Sequence, residues 1–202
     1  VAGTVVADDG VTGMTGPTCN GIDPNVRIVV GGGAYTASTT CASGGAYSFN
    51  NVSYQGDPTI VVYLNTNGGE QGSVITRTPT ADITDLNIYA NRVMTRHEDA
   101  FPMTIARMAS FDESDYSDLR FAAATGSPNT LTVRGDSALM VASSTTFAPG
   151  GNITLESTGS GAVYDGTLHL DNNAAFVAAG TQAHNVGGSF RVDTGATFTA
   201  AS

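Results

Sequence analysis

The densest group of side chains able to bind a cation lies in one short acidic segment. Its carboxylates are Asp112, Glu113, Asp115 and Asp118. Carboxylates at this density could bind Ca²⁺, which takes several oxygen ligands. The spacing differs from an EF-hand loop, because the D-x-D-x-D-G pattern and its closing Glu are missing. A solvated acidic turn paired with Arg107 or Arg120 explains the same residues without a metal, and both hypotheses stay open here.

Histidine offers no catalytic constellation in this sequence. The three imidazoles are His97, His169 and His184. A catalytic imidazole needs a nucleophile, a metal or a substrate proton within reach, and we interpret all three as structural. β-Helical enzymes that cleave pectin are an alternative, but Asp171 and Arg191 have no acidic cluster in register with them. We therefore predict a non-enzymatic protein without catalytic residues, whose only candidate cofactor is Ca²⁺.

The two cysteines, Cys19 and Cys41, flank a predicted β-hairpin. Its strands are Val26–Val30 and residues 34–40, joined by a glycine turn at residues 31–33. Folding this hairpin brings Cys41 close to the loop that contains Cys19, so we predict a disulfide between them. Closing that loop contributes about 3 kcal/mol in the chain-entropy model. A disulfide indicates an oxidising compartment, which favours an extracellular location.

Composition and charge exclude several kinds of partner. The chain has 202 residues and a net charge of −10, and all eight basic residues are Arg. Such an acidic chain is a poor electrostatic match for nucleic acid or an anionic membrane. No apolar run is long enough to cross a bilayer, so we predict no membrane span. The first residue is Val1 rather than Met, which favours a mature product or a piece of a longer protein.

The C-terminal part of the chain repeats itself without a gap. When residues 131–157 are shifted forward by 37 positions, they fall on 168–194. The shift superimposes Leu131 on Leu168, Ala138 on Ala175, and Gly150-Gly151 on Gly187-Gly188. A fixed period with short alternating strands is typical of stacked supersecondary units. We predict a β-solenoid over residues 91–202, with repeat units 131–165 and 168–202. In its first part, residues 93–97, 103–109 and 119–124 are predicted strands.

The first ninety residues contain short strand patterns separated by turn signals. The predicted strands, besides the hairpin, are residues 2–7, 44–49, 59–64, 74–78 and 83–89. About seven such strands favour a small β-sandwich. The predicted fold class is therefore all-β, with an N-terminal immunoglobulin- or transthyretin-like sandwich over 1–90 and a short β-solenoid over 91–202.

Two family resemblances support this division. The stretches VAGTVVADDG and GGAYSFNNVSYQGDPTIVVYL resemble the transthyretin-like or collagen-adhesin B-type modules of bacterial surface proteins. That resemblance implies a stalk or spacer; the internal Lys–Asn isopeptide bond of some members cannot form, because the chain has no Lys. The stretches TTFAPGGNITL and DGTLHLDNNAAF are similar to β-helical parts of giant secreted bacterial proteins.

The predicted function follows from the end of the solenoid. A terminal coil exposes unpaired backbone groups unless it is capped, and VDTGATFTAAS offers no Pro, helix or polar cap. We predict a structural module of an extracellular bacterial fibre or giant surface protein, which joins head-to-tail to other copies or to adjacent modules of a longer chain. A phage or cell-surface appendage would share this physics. The alternative is an adhesin or a Ca²⁺- or carbohydrate-binding module, with a glycan or host surface as its partner.

Overall fold

The computed structural model of the chain describes residues 1–8, 10–31, 35–66, 69–77 and 81–200, which form an all-β structure with one short helix. Within these residues, no helix has the length and apolar character needed to span a membrane. The strands are β1 (Ala2–Val6), β2 (Val26–Val30), β3 (Tyr35–Thr39), β4 (Ala46–Ser48), β5 (Thr59–Leu64), β6 (Ser73–Arg77), β7 (Ile88–Tyr89), β8 (Arg92–Thr95), β9 (Phe121–Ala124), β10 (Asn129–Val133), β11 (Ala138–Val141), β12 (Thr146–Phe147), β13 (Gly151–Leu155), β14 (Leu168–Leu170), β15 (Ala175–Ala178), β16 (His184–Val186), β17 (Phe190–Val192) and β18 (Thr197–Ala200), and α1 (Ile105–Met108) lies between β8 and β9.

A small sheet packs over a large sheet in the N-terminal part of the chain. In the small sheet, β1 lies between β4, to which it is antiparallel, and β7, to which it is parallel. Val5, Tyr47 and Ile88 of this sheet share a buried cluster with Ile28 and Val62 of the large sheet. Each such side chain contributes about 1.5–3 kcal/mol when it is fully buried. These contacts hold the two sheets face to face.

The large sheet has eight strands and runs through most of the molecule. Its order is β17-β14-β11-β8-β6-β5-β2-β3. Successive side chains of a strand point to opposite faces, and in β5 Val61 and Tyr63 join one core whereas Ile60 and Val62 join the other. The uninterrupted apolar run of β5 is therefore that of a strand covered on both faces. Parallel pairing of β6 with β8 carries the sheet across residue 90.

Residues 129–200 form three successive rungs, each with one strand in each of three sheets. The first rung is β10, β11 and β12, the second is β13, β14 and β15, and the third is β16, β17 and β18. Neighbouring rungs pair in parallel at all three positions. Every strand of the second rung is thus hydrogen-bonded on both sides.

Apolar side chains of the rungs stack in columns inside the three sheets. Leu139 pairs with Leu168, and Phe147 pairs with Phe176. All four of these side chains are buried in one core, together with Ile153. Because successive side chains of a strand point to opposite faces, one side of every rung faces this core. The stack therefore stabilises itself by burying one apolar layer against the next.

The 37-residue shift does not relate residues that pair with one another. Leu131 pairs with Ile153, and Ile153 pairs with His184, so paired residues are closer in sequence than the shift requires. Leu168, which the shift superimposes on Leu131, lies in another sheet, where it pairs with Leu139. The similarity instead reflects the same requirement for glycine at two corners of the stack. A Cβ built on Gly151 would lie 2.2 Å from the Asn129 carbonyl oxygen, and one on Gly188 would lie 2.0 Å from that of Asp165. Successive rungs approach closely at both corners, so both need glycine.

The segment between β8 and β10 differs from the predicted run of strands. Residues 103–109 were expected to be extended, but Ile105–Met108 is a helical turn whose N-cap is Thr104. Its Ile105 and Met108 enter the core, where a single turn places them on the same side. β9 then pairs antiparallel with β10. The segment therefore covers the start of the stack.

Most strand predictions agree with the structure. Strands are found within residues 2–7, 44–49, 59–64, 93–97 and 119–124 or differ from them by a residue. Of residues 83–89, only Ile88–Tyr89 is a strand. Residues 32–33 of the predicted glycine turn at 31–33, residue 34 of the predicted strand 34–40, residue 78 of the predicted strand 74–78 and residues 201–202 of the second repeat unit lie outside the described residues.

The predicted disulfide between Cys19 and Cys41 is confirmed. Both cysteines are fully buried in the N-terminal core. The loop they enclose is further held by the Gly21 amide, which donates to the Cys41 carbonyl oxygen over 2.8 Å. The bond therefore anchors a long irregular loop, residues 10–25, against the two sheets.

We expect the variant with Cys19→Ser and Cys41→Ser to lose about 3 kcal/mol of unfolding free energy, because its unfolded chain regains the freedom of the open loop. For a chain of this size that lowers Tm by about 6–12 °C. Thermal unfolding followed by circular dichroism measures the change, with the exposed Ser53→Ala variant as a control. A Tm equal to that of the parent would contradict the assigned role.

Candidate functional site

The third rung forms an open end of the stack. β16, β17 and β18 are each the last strand of their sheet among the described residues. One backbone edge of each strand therefore has no neighbouring strand within this part of the chain. Free strand edges present N–H and C=O groups that readily pair with another chain.

The open end also exposes apolar side chains whose counterparts are buried. Phe190, Val192 and Phe198 are 42–50% exposed. The residues that pair with them in the second rung, Leu168, Leu170 and Phe176, are at most 3% exposed. The open end therefore has the character of a core layer whose cover is absent from the described residues.

Aromatic rings continue from the core to this surface. The Phe176 and Phe198 rings are stacked with their centroids 5.0 Å apart, and Phe190 meets Phe198 edge-on at 5.3 Å. Phe147 lies below, with its centroid 5.7 Å from that of Phe176. Such pairs contribute about 0.5–1.5 kcal/mol beyond the area they bury. The column ends with the exposed Phe198 ring.

His184 is the polar member of this apolar layer. Its ring lies edge-on to Phe176, with the centroids 5.3 Å apart. Neither ring nitrogen is exposed or has a hydrogen-bond partner among the described residues. Burial lowers the pKa of His184, so its neutral form is favoured. His184 extends the column of Leu131 and Ile153.

The other predicted structural histidines make specific contacts. His97 Nε2 accepts from the Thr146 amide over 2.9 Å, and its Nδ1 lies 2.5 Å from the Asp99 carbonyl oxygen. This imidazole thus ties the end of β8 to the start of β12. His169 Nε2 lies 2.8 Å from Asp193 Oδ2. His169 is on the outer face of the large sheet, which is the face opposite to the core that contains its strand neighbours Leu168 and Leu170.

The structure does not gather the acidic segment around a common cation position. Among the described residues, one group of three or more His, Cys, Asp and Glu ligand atoms lies within 4.8 Å, and it contains none of the segment's four carboxylates. Asp112 accepts from Ser114 and from the Ala123 amide, and Asp115 accepts from the Asp112 amide. Gln71 donates to Asp118 over 3.4 Å. These carboxylates are oriented toward protein donors rather than toward one another.

Arg120, one of the two expected partners, lies close enough for its charge to lower the pKa of the remaining member, Glu113, but the ion pair of Glu113 is with Arg134. This bond is the main reason that the pKa of Glu113 lies below its ordinary value. Partial burial raises the pKa of Asp112, but hydrogen bonds from Ser114 and Ala123 outweigh it and lower that pKa overall. Arg107 pairs with Asp57, far away in sequence. The Glu113–Arg134 ion pair therefore connects the segment that covers the start of the stack to the first rung, because Arg134 directly follows β10.

Asp165 is a site that sequence reasoning missed. Its carboxylate accepts hydrogen bonds from the amides of Asp136, Thr158 and Ser160 and from the hydroxyls of Ser157, Thr158 and Ser160. The bond from the Thr158 amide contributes most to holding the pKa of Asp165 far below its ordinary value. The run of Ser, Thr and Gly at residues 157–161 was the available signal, since such residues form local turns around a carboxylate.

Asp165 positions the loop of residues 156–167, which joins β13 to β14. That loop borders a cleft of about 240 Å³ whose lining includes Tyr164, His169 and Arg191. The cleft adjoins the open end but lies outside the apolar layer.

We expect Asp165→Asn to lower Tm by several degrees at pH 7, because an amide replaces an acceptor oxygen with a donor facing other donors. The folded-state pKa is depressed, so the stabilisation is present above the unfolded value of about 3.9 and is lost as pH falls toward the folded pKa. The Tm difference between parent and variant should therefore shrink below about pH 4. Thermal unfolding between pH 3 and 7 measures this, with exposed Asp82→Asn as the control; a pH-independent difference would contradict the assignment.

Comparison of the chain with known protein families, with functionally characterised proteins and with solved structures gives no significant match. We therefore infer the function from the geometry of the open end.

Proposed function

We propose that the chain is a non-enzymatic structural module of an extracellular bacterial fibre or giant surface protein, and that its open end binds the next module. In this proposal the N-terminal sheets form a transthyretin-like β-sandwich and the three rungs form a short β-solenoid. The observation that carries the proposal is the exposed core layer of Phe190, Val192 and Phe198 between three strand edges that have no neighbouring strand among the described residues. The buried disulfide supports an extracellular location, because disulfides persist in oxidising compartments.

The two ends of the large sheet suggest how copies join. β17 is its last strand at the open end, and β3 is its last strand at the other end. Edge strands are usually protected by charges, Pro or bulges, whereas β3 reads YTAST and carries none of these. Pairing β17 of one copy with β3 of the next would continue the sheet. Such a contact uses two different surfaces, and when it does not close into a ring it produces a filament.

The energy of the contact indicates that assembly depends on concentration. Covering three half-exposed apolar side chains contributes roughly 3 kcal/mol, less than the roughly 4–15 kcal/mol cost of bringing two proteins together. Backbone pairing at the strand edges must provide the remainder. Modules joined in one chain would face a smaller cost, because a linker raises the effective concentration. We therefore propose other copies or adjacent modules of one longer chain as the partners.

The adhesin and the Ca²⁺- or carbohydrate-binding module remain the alternative proposal from the sequence. It predicts binding of a glycan or host surface without self-association. The experiment below separates it from the structural module, because a monomer at all concentrations favours the alternative.

We expect the parent protein to sediment as a series of oligomers whose mean size grows with concentration. The double variant Val192→Asp and Phe198→Asp should weaken association at least about tenfold, because two charges enter the apolar layer. The double variant Thr36→Lys and Ser38→Lys should weaken it through the β3 edge. Analytical ultracentrifugation measures both effects, and electron microscopy shows whether the oligomers are linear.

Ile22→Asp is the matched control, since Ile22 is an exposed apolar residue that belongs neither to β3 nor to the strands of the open end. It should associate like the parent. A parent protein that stays monomeric at millimolar concentration would contradict the proposal, as would oligomers that persist unchanged in the Val192/Phe198 variant. A loss confined to the Val192/Phe198 variant would retain the open end but reject β3 as its partner. Circular dichroism checks that each variant is folded.

A further inference from the structure

The outer face of the large sheet carries a second arrangement of residues, independent of the proposed assembly. His169 in β14 pairs with Arg191 in β17. Two residues after each of them comes an aspartate, Asp171 in the second rung and Asp193 in the third. The Asp193 amide donates to the Leu170 carbonyl oxygen, so the two aspartates follow paired strands at the same corner. The segment His169-x-Asp171 of the second rung thus lies directly beside the segment Arg191-x-Asp193 of the third rung.

The ligand atoms of three of these residues converge. One nitrogen of His169 and one carboxylate oxygen from each of Asp171 and Asp193 all lie within 4.8 Å of one another. His169 is 92% buried and its Nε2 is fixed 2.8 Å from Asp193 Oδ2. Asp171 accepts from the Asn172 amide through Oδ1, which orients its carboxylate. The imidazole is therefore held in place before any ligand arrives.

Charge repulsion gives this corner a reason to bind a cation. Like charges on directly neighbouring strand positions destabilise a sheet, and Asp171 and Asp193 are one rung apart. Arg191 offsets part of this repulsion by donating twice to Asp193, from Nε to Oδ1 over 2.9 Å and from Nη2 to Oδ2 over 3.3 Å. The Arg191 side chain is 63% exposed, however, so it can turn into solvent. A cation placed between the imidazole and the two carboxylates would neutralise both aspartates.

We propose that His169, Asp171 and Asp193 bind a divalent transition-metal ion of the Zn²⁺ class. One imidazole nitrogen with two carboxylate oxygens suits Zn²⁺, which takes His nitrogen and Asp oxygen at about 2.0–2.2 Å and accepts water as a fourth ligand. Ca²⁺ and Mg²⁺ favour all-oxygen ligand sets. Metal binding would break the hydrogen bond between His169 Nε2 and Asp193 Oδ2, and the two atoms would move slightly apart to become ligands of one ion. It would lock the third rung to the second beside the open end.

The test uses untagged protein, freed of metal by a chelator and then titrated with Zn²⁺. A ligand at 100 times its Kd that binds only the folded state raises Tm by about 5–10 °C in a chain of this size. Isothermal titration should show one site per chain, and Co²⁺ should give visible absorption bands of nitrogen–oxygen ligation. Ca²⁺ and Mg²⁺ at the same concentration should leave Tm unchanged.

Variants distinguish this site from metal binding elsewhere. His169→Ala and Asp193→Asn should each weaken Zn²⁺ binding at least about tenfold, since even outer-shell changes have effects of that size. Arg191→Ala should tighten binding about two- to fivefold by removing the competing ion pair. His97→Ala and His184→Ala are the matched controls and should bind Zn²⁺ like the parent.

The results that overturn the proposal are a missing Tm shift, binding that survives His169→Ala unchanged, or binding lost equally in His184→Ala. Measurements on the assembly-defective Val192/Phe198 variant keep this test separate from self-association. Zn²⁺ binding that appears only in oligomers, and not in that monomeric variant, would contradict a site contained within one chain.

Discussion

The structure depends on the parallel backbone ladders that join one rung to the next. A backbone amide or carbonyl away from water has to be hydrogen-bonded, and the rungs meet this requirement for one another through three sheets at once. The same register places Leu139 on Leu168 and Phe147 on Phe176, so hydrogen bonding and core packing reinforce each other. A rung consequently becomes more stable when another chain segment covers it. At the start of the stack, β9 and α1 provide that cover; at the third rung, none of the described residues does.

The large sheet couples the two halves of the molecule. β8 pairs with β6 on one side and with β11 on the other, so the first rung continues the sheet that the N-terminal strands form. Cores lie on both faces of this sheet, and Val93 belongs to one whereas Met94 belongs to the other. A disturbance on either face therefore reaches both cores through shared strands. This arrangement explains why β5, β6 and β11 are buried along their whole length.

The sequence predicted local features better than long-range ones. The alternation in β1, the hairpin of β2 and β3, the run of β5 and the Cys19–Cys41 bond all depend on neighbouring residues or on a short hairpin. The helical turn at Ile105 was predicted as a strand, because Met103, Ile105 and Met108 are too few to distinguish the two periods. The repeat gave a shift of 37 because glycine pairs occur at crowded corners of different sheets. The actual stacking depends on the loop of residues 156–167, whose length no strand pattern reveals.

The candidate sites differ in predictability for the same reason. Exposure of the third rung could be inferred from its uncapped pattern, since that property depends on what the local sequence lacks. The contact between His169 and Asp193 could not be inferred, because the two residues meet only if the chain between them has one particular length. The acidic segment looked like a site for the opposite reason: Asp112 and Glu113 are neighbours in sequence, yet their side chains turn to different partners, Ser114 and Arg134. In stacked strands, side chains one rung apart lie next to each other and can form a site, whereas neighbours in sequence point to opposite faces. A set of metal ligands in such a fold is therefore recognised from the register of the strands. At the corner of Asp171 and Asp193, this register places two like charges beside the fixed imidazole of His169.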